Sequence, residues 1–228
     1  MDSMFQTLVR LPLFSGVTNE RMAQVIEKAK FHFLKYTPGN DIVIADQKQT
    51  HLNFIFAGSV RVNLMGADTR FSVSSTLSAP DVIAPDFLFG RHTEYPCTAT
   101  AIDTVSVLSV SKSDYLDMLQ RDQIFMLNYL NLLSMNAQKS VLGVKALTTG
   151  SFEERLAFWV VALTQPRATD IVLTCRQRNL CSIFGIQRST MIATLGEMRQ
   201  KGLLTYDSES ISINNRRDMV SLLLEQTE

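Results

Sequence analysis

The sequence predicts an α+β fold in three parts: an N-terminal antiparallel β-roll (a double-sheet jelly roll), a long helix, and a C-terminal winged helix-turn-helix. Three observations carry this. Residues 31–110 hold short runs rich in Val, Ile, Phe and Thr, separated by turn residues. An apolar pattern with helical spacing then runs from about Gln123 to Leu147. Finally, Gly185 parts two short helical segments, and a pair of strand-like runs follows the second. We place the boundaries at 1–110 for the roll, 111–147 for a short helix and the long helix, and 148–228 for the winged domain.

In chain order, residues 1–30 read as short helices. Thr18 caps the run NERMAQVIEKAK, whose Met22, Val25, Ile26 and Ala29 share one face. The strand candidates are FHFLKY, DIVIA after Pro38-Gly39-Asn40, LNFIF, SVRVNL after Gly58, TRFSVSSTL after Gly66-Ala67-Asp68, and TATAIDTVSVLSV. SDYLDML is a short helix. The long helix that follows, about 24 residues and about 36 Å, is too apolar to stand alone. Burial against a second copy of itself is the economical explanation, with Ile124, Leu127, Leu130, Leu133 (or Leu132), Val141 and Val144 as its apolar positions and Ile124, Leu127, Leu130 and Val141 as the seam. Thr148-Thr149-Gly150 breaks it and reads as a hinge. Ser151 and Glu154 form a capping box that starts an independent helix, ending at Pro166.

Residues 176–201 read RQRNLCSIFGIQRSTMIATLGEMRQK. A first helix, Arg176–Phe184, points Leu180 and Ile183 inward. A second starts around Gln187–Arg188 and buries Met191, Leu195 and Met198, spaced i, i+4, i+7. That leaves Arg188, Ser189, Ile192 or Ala193, and Arg199 for the other faces, and Gln187 and Thr190 join them as DNA-contact candidates. Such a pair presents the N-terminal end of its second helix to the DNA major groove. Arg188 is suited to a guanine edge or to phosphate, and Ser189 and Thr190 to either. LLTYDSESISI then reads as two strands around an Asp207–Ser210 turn, a wing. Asn214 or Asn215 caps a closing helix.

Charge agrees with this reading. The whole chain is neutral, with 22 basic and 22 acidic side chains, yet Arg167–Lys201 holds six Lys/Arg (Arg176, Arg178, Arg188 and Arg199 among them) against Asp170 and Glu197. A local excess of 6 − 2 = 4 is the footprint of a phosphate-contacting face. Cys97, Cys175 and Cys181 are too few and too scattered for a disulfide framework or an iron–sulfur site. Three isolated histidines, His32, His51 and His92, exclude a His-x-His metal enzyme, and no nucleotide or hydrolase motif is present. We expect no enzyme and no metal. The longest apolar runs, such as Phe158–Leu163, are too short for a bilayer, and the N-terminus lacks a signal-peptide pattern, so we expect no membrane association and a cytoplasmic location.

The order of parts resembles the superfamily of bacterial regulators that includes the cyclic-AMP receptor protein and the oxygen sensor FNR. Residues Leu13–Thr18, Pro38-Gly39, Phe56–Val62 and Gly185–Thr190 carry the resemblance. It implies transcription regulation by a cytoplasmic homodimer joined along the long helix. It further implies a roughly palindromic operator, contact with RNA polymerase and a small-molecule effector in a cyclic nucleotide-binding-like domain. Nucleotide-binding members carry Gly-Glu-Leu and, some ten residues on, Arg-Ser or Arg-Thr. Here Ala84-Pro85 and Tyr95-Pro96-Cys97 stand there; Arg91 is offset by four residues and Asp86 by a register slip. An unpaired buried phosphate is strongly unfavourable, so cyclic AMP is not expected and the effector is open. Pro85, Asp86, Phe87, Arg91, Tyr95, Cys97 and Ser140 remain the pocket candidates. In the recognition helix the resemblance keeps Arg188 but places Ser189 and Ala193 where a Glu and a second Arg belong, implying a different operator. Two alternatives stand beside this reading: a protein-interaction module with a degenerate DNA domain, and a cyclic-nucleotide-responsive regulator with a non-standard pocket.

Overall fold

The computed structural model describes residues 2–28, 30–66 and 69–224. Two helices come first, α1 (Asp2–Val9) and α2 (Asn19–Lys28), with a 3-10 turn at Pro12–Phe14 between them. Eight strands follow: β1 (Phe31–Tyr36), β2 (Asp41–Val43), β3 (His51–Ala57), β4 (Ser59–Met65), β5 (Ser72–Ser78), β6 (Asp81–Ile83), β7 (Thr98–Ala101) and β8 (Val105–Ser111). Then come α3 (Lys112–Arg121), α4 (Gln123–Thr149) and α5 (Phe152–Leu163). The chain ends with β9 (Thr169–Thr174), α6 (Gln177–Phe184), α7 (Arg188–Gln200), β10 (Leu204–Tyr206), β11 (Ser210–Ile213) and α8 (Arg216–Leu224). The α+β class, with antiparallel sheets first and a winged helix-turn-helix last, is as expected.

The chain forms two compact units: Met1–Arg61 with Ser78–Asn136, and Val62–Leu77 with Ala137–Glu228. In the first, an antiparallel sheet runs β1-β8-β3-β6, pairing Phe33 and Phe54 on either side of Leu108, and β2 pairs with β7. Alternating side chains of β3 and β8 enter a core shared with the helices: Leu52, Phe54, Leu108 and Val110 meet Leu8, Leu13, Phe14, Met22, Phe125 and Tyr129. Phe14 meets Phe54 and Phe125 edge-on at 5.4 and 5.2 Å. The run 98–110 is two strands rather than one. Asp103 turns back to accept the Ser59 amide at 2.9 Å, over Gly58, where a Cβ would lie 2.5 Å from that carboxylate.

In the second unit the strands lie in the order β10-β11-β9-β5-β4. β9 is flanked by the wing strand β11 (Ile211 opposite Leu173) and by β5 (Ser74 opposite Val172). Below the sheet an aromatic chain links Phe71, Trp159, Phe184 and Phe152, with successive centroids 4.6, 5.2 and 5.3 Å apart. α5 opens on the Ser151–Glu154 capping box. Its far end is closed by buried Arg216. The guanidinium donates to the Val161 and Thr164 carbonyls and the Thr164 hydroxyl, at 2.9, 3.3 and 3.0 Å. A cation at a helix C-terminus is favoured by the peptide dipoles, and the orphan carbonyls replace the water it gave up, although burial still lowers its pKa.

Several expectations need correction. β6 and β9 were not foreseen, and β2 ends at Val43 rather than Ala45. α4 spans 27 residues and continues through Thr148 and Thr149, ending before Gly150. The compact units part near Asn136, inside α4, rather than at 148–150, and residues 62–77 belong with the C-terminal unit because β5 pairs with β9. Ile183 is 37% exposed, and Phe184 fills the inward position instead. Ile124, expected on the seam, packs with Leu132 and Leu133 against the core of the first unit. Ala29, Ala67 and Asp68 lie outside the described residues, as do the side chains of Val25, Ile26 and Leu147.

Replacing Arg216 with Met should destabilise the C-terminal unit by about 2–3 kcal/mol, since three acceptors lose a charged donor at once. Denaturant titration followed by the fluorescence of Trp159, the one tryptophan of the chain, measures this; an unchanged midpoint would show the three bonds to be idle.

Candidate nucleic-acid interface

The site begins with a buried stripe. On α7, Met191, Leu195 and Met198 are at most 1% exposed. Their spacing places them on one face, so the opposite face must point outward. Gly185 makes the turn into this helix in the left-handed region at φ 61°, where a side chain is disfavoured. The Gly185 and Ile186 amides both return to the Cys181 carbonyl. Arg155 of α5 fixes the same turn by donating to the Phe184 carbonyl at 2.8 Å.

At the start of α7, Gln187, Arg188, Ser189 and Thr190 are all exposed, and no side chain caps the helix. Its first amides and the positive end of its dipole are therefore available to an anion. Arg188, Arg176 and Arg178 line one cleft of about 520 Å³ with Gln177, Cys181, Ser208 and Glu209. Three guanidiniums face one carboxylate there. Arg176 approaches Glu209 at 3.9 Å, but both are well exposed, so the pair is worth under about 1 kcal/mol. The cleft joins the start of α6 and the first turn of α7 to the wing turn, which lies beyond β10 in the chain.

The wing turn is locked by Asp207. Its carboxylate accepts the Glu209 and Ser210 amides, each at 2.7 Å, and the Ser210 hydroxyl at 2.9 Å. The Glu209 amide contributes most to holding its pKa below the ordinary carboxylate value. A depressed carboxylate stabilises the fold above its unfolded pKa of about 3.9 and loses that contribution as the pH falls through the lower folded value. The lock is thus complete at neutral pH.

Arg199 does not join the cleft. It sits about 16 Å along the helix from Arg188, with its guanidinium 5.4 Å from the Tyr206 ring centroid. Gln177 was missed by the sequence reading. Its carbonyl oxygen accepts both Nε and Nη2 of Arg188, at 3.3 and 3.2 Å, and its amide nitrogen donates to the Asp207 carbonyl at 3.2 Å.

The pocket candidates differ in exposure. Pro85, Tyr95 and Cys97 are buried, while Asp86, Phe87, Arg91 and Ser140 are exposed. The Tyr95 hydroxyl accepts from Asn53 at 3.1 Å and donates to the His51 carbonyl at 3.2 Å. Burial pushes its pKa up to about 12 and that of the Cys97 thiol up to about 11, so both are neutral groups. The Pro85 carbonyl accepts the Tyr129 hydroxyl at 3.1 Å, and Asp86 accepts Asn136 at 2.7 Å. Among the described residues, no three His, Cys, Asp or Glu are grouped to hold a metal, and no helix is long and apolar enough to cross a membrane.

Two family models match the chain: the cyclic nucleotide-binding domain over residues 33–122 and the Crp-like helix-turn-helix domain over residues 154–222. No curated protein sequence matched. Among solved structures, the catabolite activator protein of Thermus thermophilus is similar at 18% identity and a TM-score of 0.55, covering 94% of this chain and 99% of its own. The sensor domain of the transcriptional regulator DNR from Pseudomonas aeruginosa is similar at 16% identity and a TM-score of 0.52, covering 60% of this chain and 89% of its own. At these identities the likeness concerns the fold. With the two models side by side in this order, and with an exposed basic recognition helix at the place the second one covers, the chain belongs to the Crp/Fnr family of transcription regulators, which bind DNA through this helix-turn-helix.

Proposed function

We propose that the protein acts in the cytoplasm as a homodimer that reads a two-part palindromic operator through Arg188, and that cyclic AMP does not control it. The observation that carries the DNA-reading half is the exposed first turn of α7, set in a cleft with Arg176 and Arg178 while its other face is buried. Arg188 meets a base edge, Ser189 and Thr190 lie beside it, and Arg176 and Arg178 take phosphates. Gln187 precedes the helix and fits a backbone contact. Contact with RNA polymerase is part of the proposal through the family alone.

The dimer rests on α4. Leu127, Leu130, Ser134, Ala137, Val141 and Val144 repeat in alternating steps of three and four, and all are exposed. Leu127, Leu130, Val141 and Val144 expose 57, 50, 72 and 63% of their surface. An apolar heptad stripe left in water is the signature of a helix that pairs with a copy of itself. Two such subunits place two recognition helices about a two-fold axis, which sets the operator's symmetry.

The effector half rests on charge. A cyclic nucleotide's phosphate needs a guanidinium where this chain has buried Tyr95 and Cys97, both neutral, and Arg91 is exposed. A small apolar or weakly polar effector, or none, fits these residues better.

Substitution and calorimetry test the proposal. Arg188→Ala should cost about 1–3 kcal/mol on the selected operator and relax preference at one base pair. Arg178→Ala should weaken all duplexes evenly and lower the salt slope by about one. Binding that ignores salt with or without Arg188 would favour a protein-interaction module. Val141→Glu should weaken the dimer about 100-fold by sedimentation velocity, from roughly 1.5 kcal/mol lost in each copy; an unchanged dimer would move the interface elsewhere. Calorimetry with cyclic AMP should show no micromolar binding, and a micromolar Kd would favour a cyclic-nucleotide-responsive regulator with a non-standard pocket.

A further inference from the structure

We propose that Gln177 is a positioning residue for base readout: its side-chain amide sets the direction of the Arg188 guanidinium and couples it to the wing. This rests on the reading of Arg188 as a base reader. An arginine has five N–H donors arranged in two forks. The fork made by Nε and Nη2 is directed at the Gln177 carbonyl oxygen, at 3.3 and 3.2 Å. The end-on fork, Nη1 with the second hydrogen of Nη2, is left over, and its two parallel N–H groups match the O6/N7 edge of guanine. Holding one fork thus aims the other.

Gln177 is itself held at three points. Its backbone amide donates to the Ser208 carbonyl at 3.3 Å, its side-chain nitrogen to the Asp207 carbonyl at 3.2 Å, and its oxygen receives Arg188. The orientation of the amide is unambiguous, because only the oxygen can face guanidinium donors and only the nitrogen can face a carbonyl. The two wing carbonyls belong to the turn that Asp207 locks with three bonds to its carboxylate. A rigid turn therefore holds a side chain that holds the reader. The acceptor's neutrality also matters. A carboxylate in this place would orient Arg188 equally well but would offset its charge and repel nearby phosphates. An amide orients the guanidinium and leaves its attraction to DNA intact. The gain is preorganisation: fewer Arg188 rotamers are lost when DNA binds.

The test measures affinities for a duplex recovered by selection from a random-sequence DNA pool, for its single base-pair variants, and for non-specific duplex. Gln177→Ala and the similarly sized Gln177→Met should each lower discrimination at the Arg188 base pair about tenfold. Non-specific affinity should fall far less than the discrimination ratio, and the salt slope should keep its value, since no charge is removed. Gln177→Glu should weaken every duplex yet restore the discrimination ratio, because it returns the acceptor. In an Arg188→Ala background, Gln177→Ala should change the ratio no further. Even weakening of all duplexes by Gln177→Ala, no effect at all, or failure of Gln177→Glu to recover the ratio would each overturn the inference. If Arg188→Ala collapses the ratio and Gln177→Ala does not, only the positioning role is lost. If Arg188→Ala leaves the ratio intact, the reading of Arg188 falls first.

Discussion

A recognition helix can offer one face to DNA only if the other is gripped, and in this chain the grip is Met191, Leu195 and Met198 in the core of the C-terminal unit. Three nearly sealed side chains over two turns fix the rotation of α7 about its axis. Everything the site does follows from that rotation. Arg188, Ser189, Ile192 and Ala193 face out because the stripe faces in. The supporting pieces hold the grip in place: Phe184 docks between Phe152 and Trp159, and Arg155 pins the Phe184 carbonyl at the entrance to the turn. Rotamer-rich methionines at two of the three positions fit a core whose neighbours include the Cys181 sulfur, 3.6 Å from that of Met191.

The roll presents the opposite economy. It keeps its sheet architecture while buried polar groups around Tyr95 and Pro85 turn on each other. Asn53, Tyr95 and the His51 carbonyl satisfy one another, as do Tyr129 and the Pro85 carbonyl. Such closed pairs are inexpensive to bury, whereas an anion there would need its own counter-charge.

Much of this was legible in the sequence because it depends on local pattern. The α7 stripe, the Ser151–Glu154 box and the Gly185 turn are set by neighbours a few residues apart, so spacing alone found them. β9 was missed although Ile171 and Leu173 are almost fully buried. It is a six-residue run just after Pro166, and its partners β5 and β11 lie elsewhere in the chain. β6 is three residues long, too short for any period to show. On the seam, Ile124 shares the apolar character of Leu127, and only the placement of the first unit's core tells which faces inward. Gln177 escaped because it is neutral: a count of charges passes over the residue whose two hydrogen-bonding ends aim one.

The pairing of β5 with β9 joins residues about 100 positions apart, as Ser72 opposite Thr174 shows. A ribosome releases β5 long before β9 exists, so the C-terminal sheet waits on a strand made early and finishes only when the last third of the chain arrives. A fragment cut at the start of α5 would lack that strand. It would carry β9 as an open edge with bare amides and carbonyls, and Trp159 without the Phe71 ring beside it. The DNA-binding part of this regulator is thus not a separable bead on the string, because one of its strands is written in the other half of the gene.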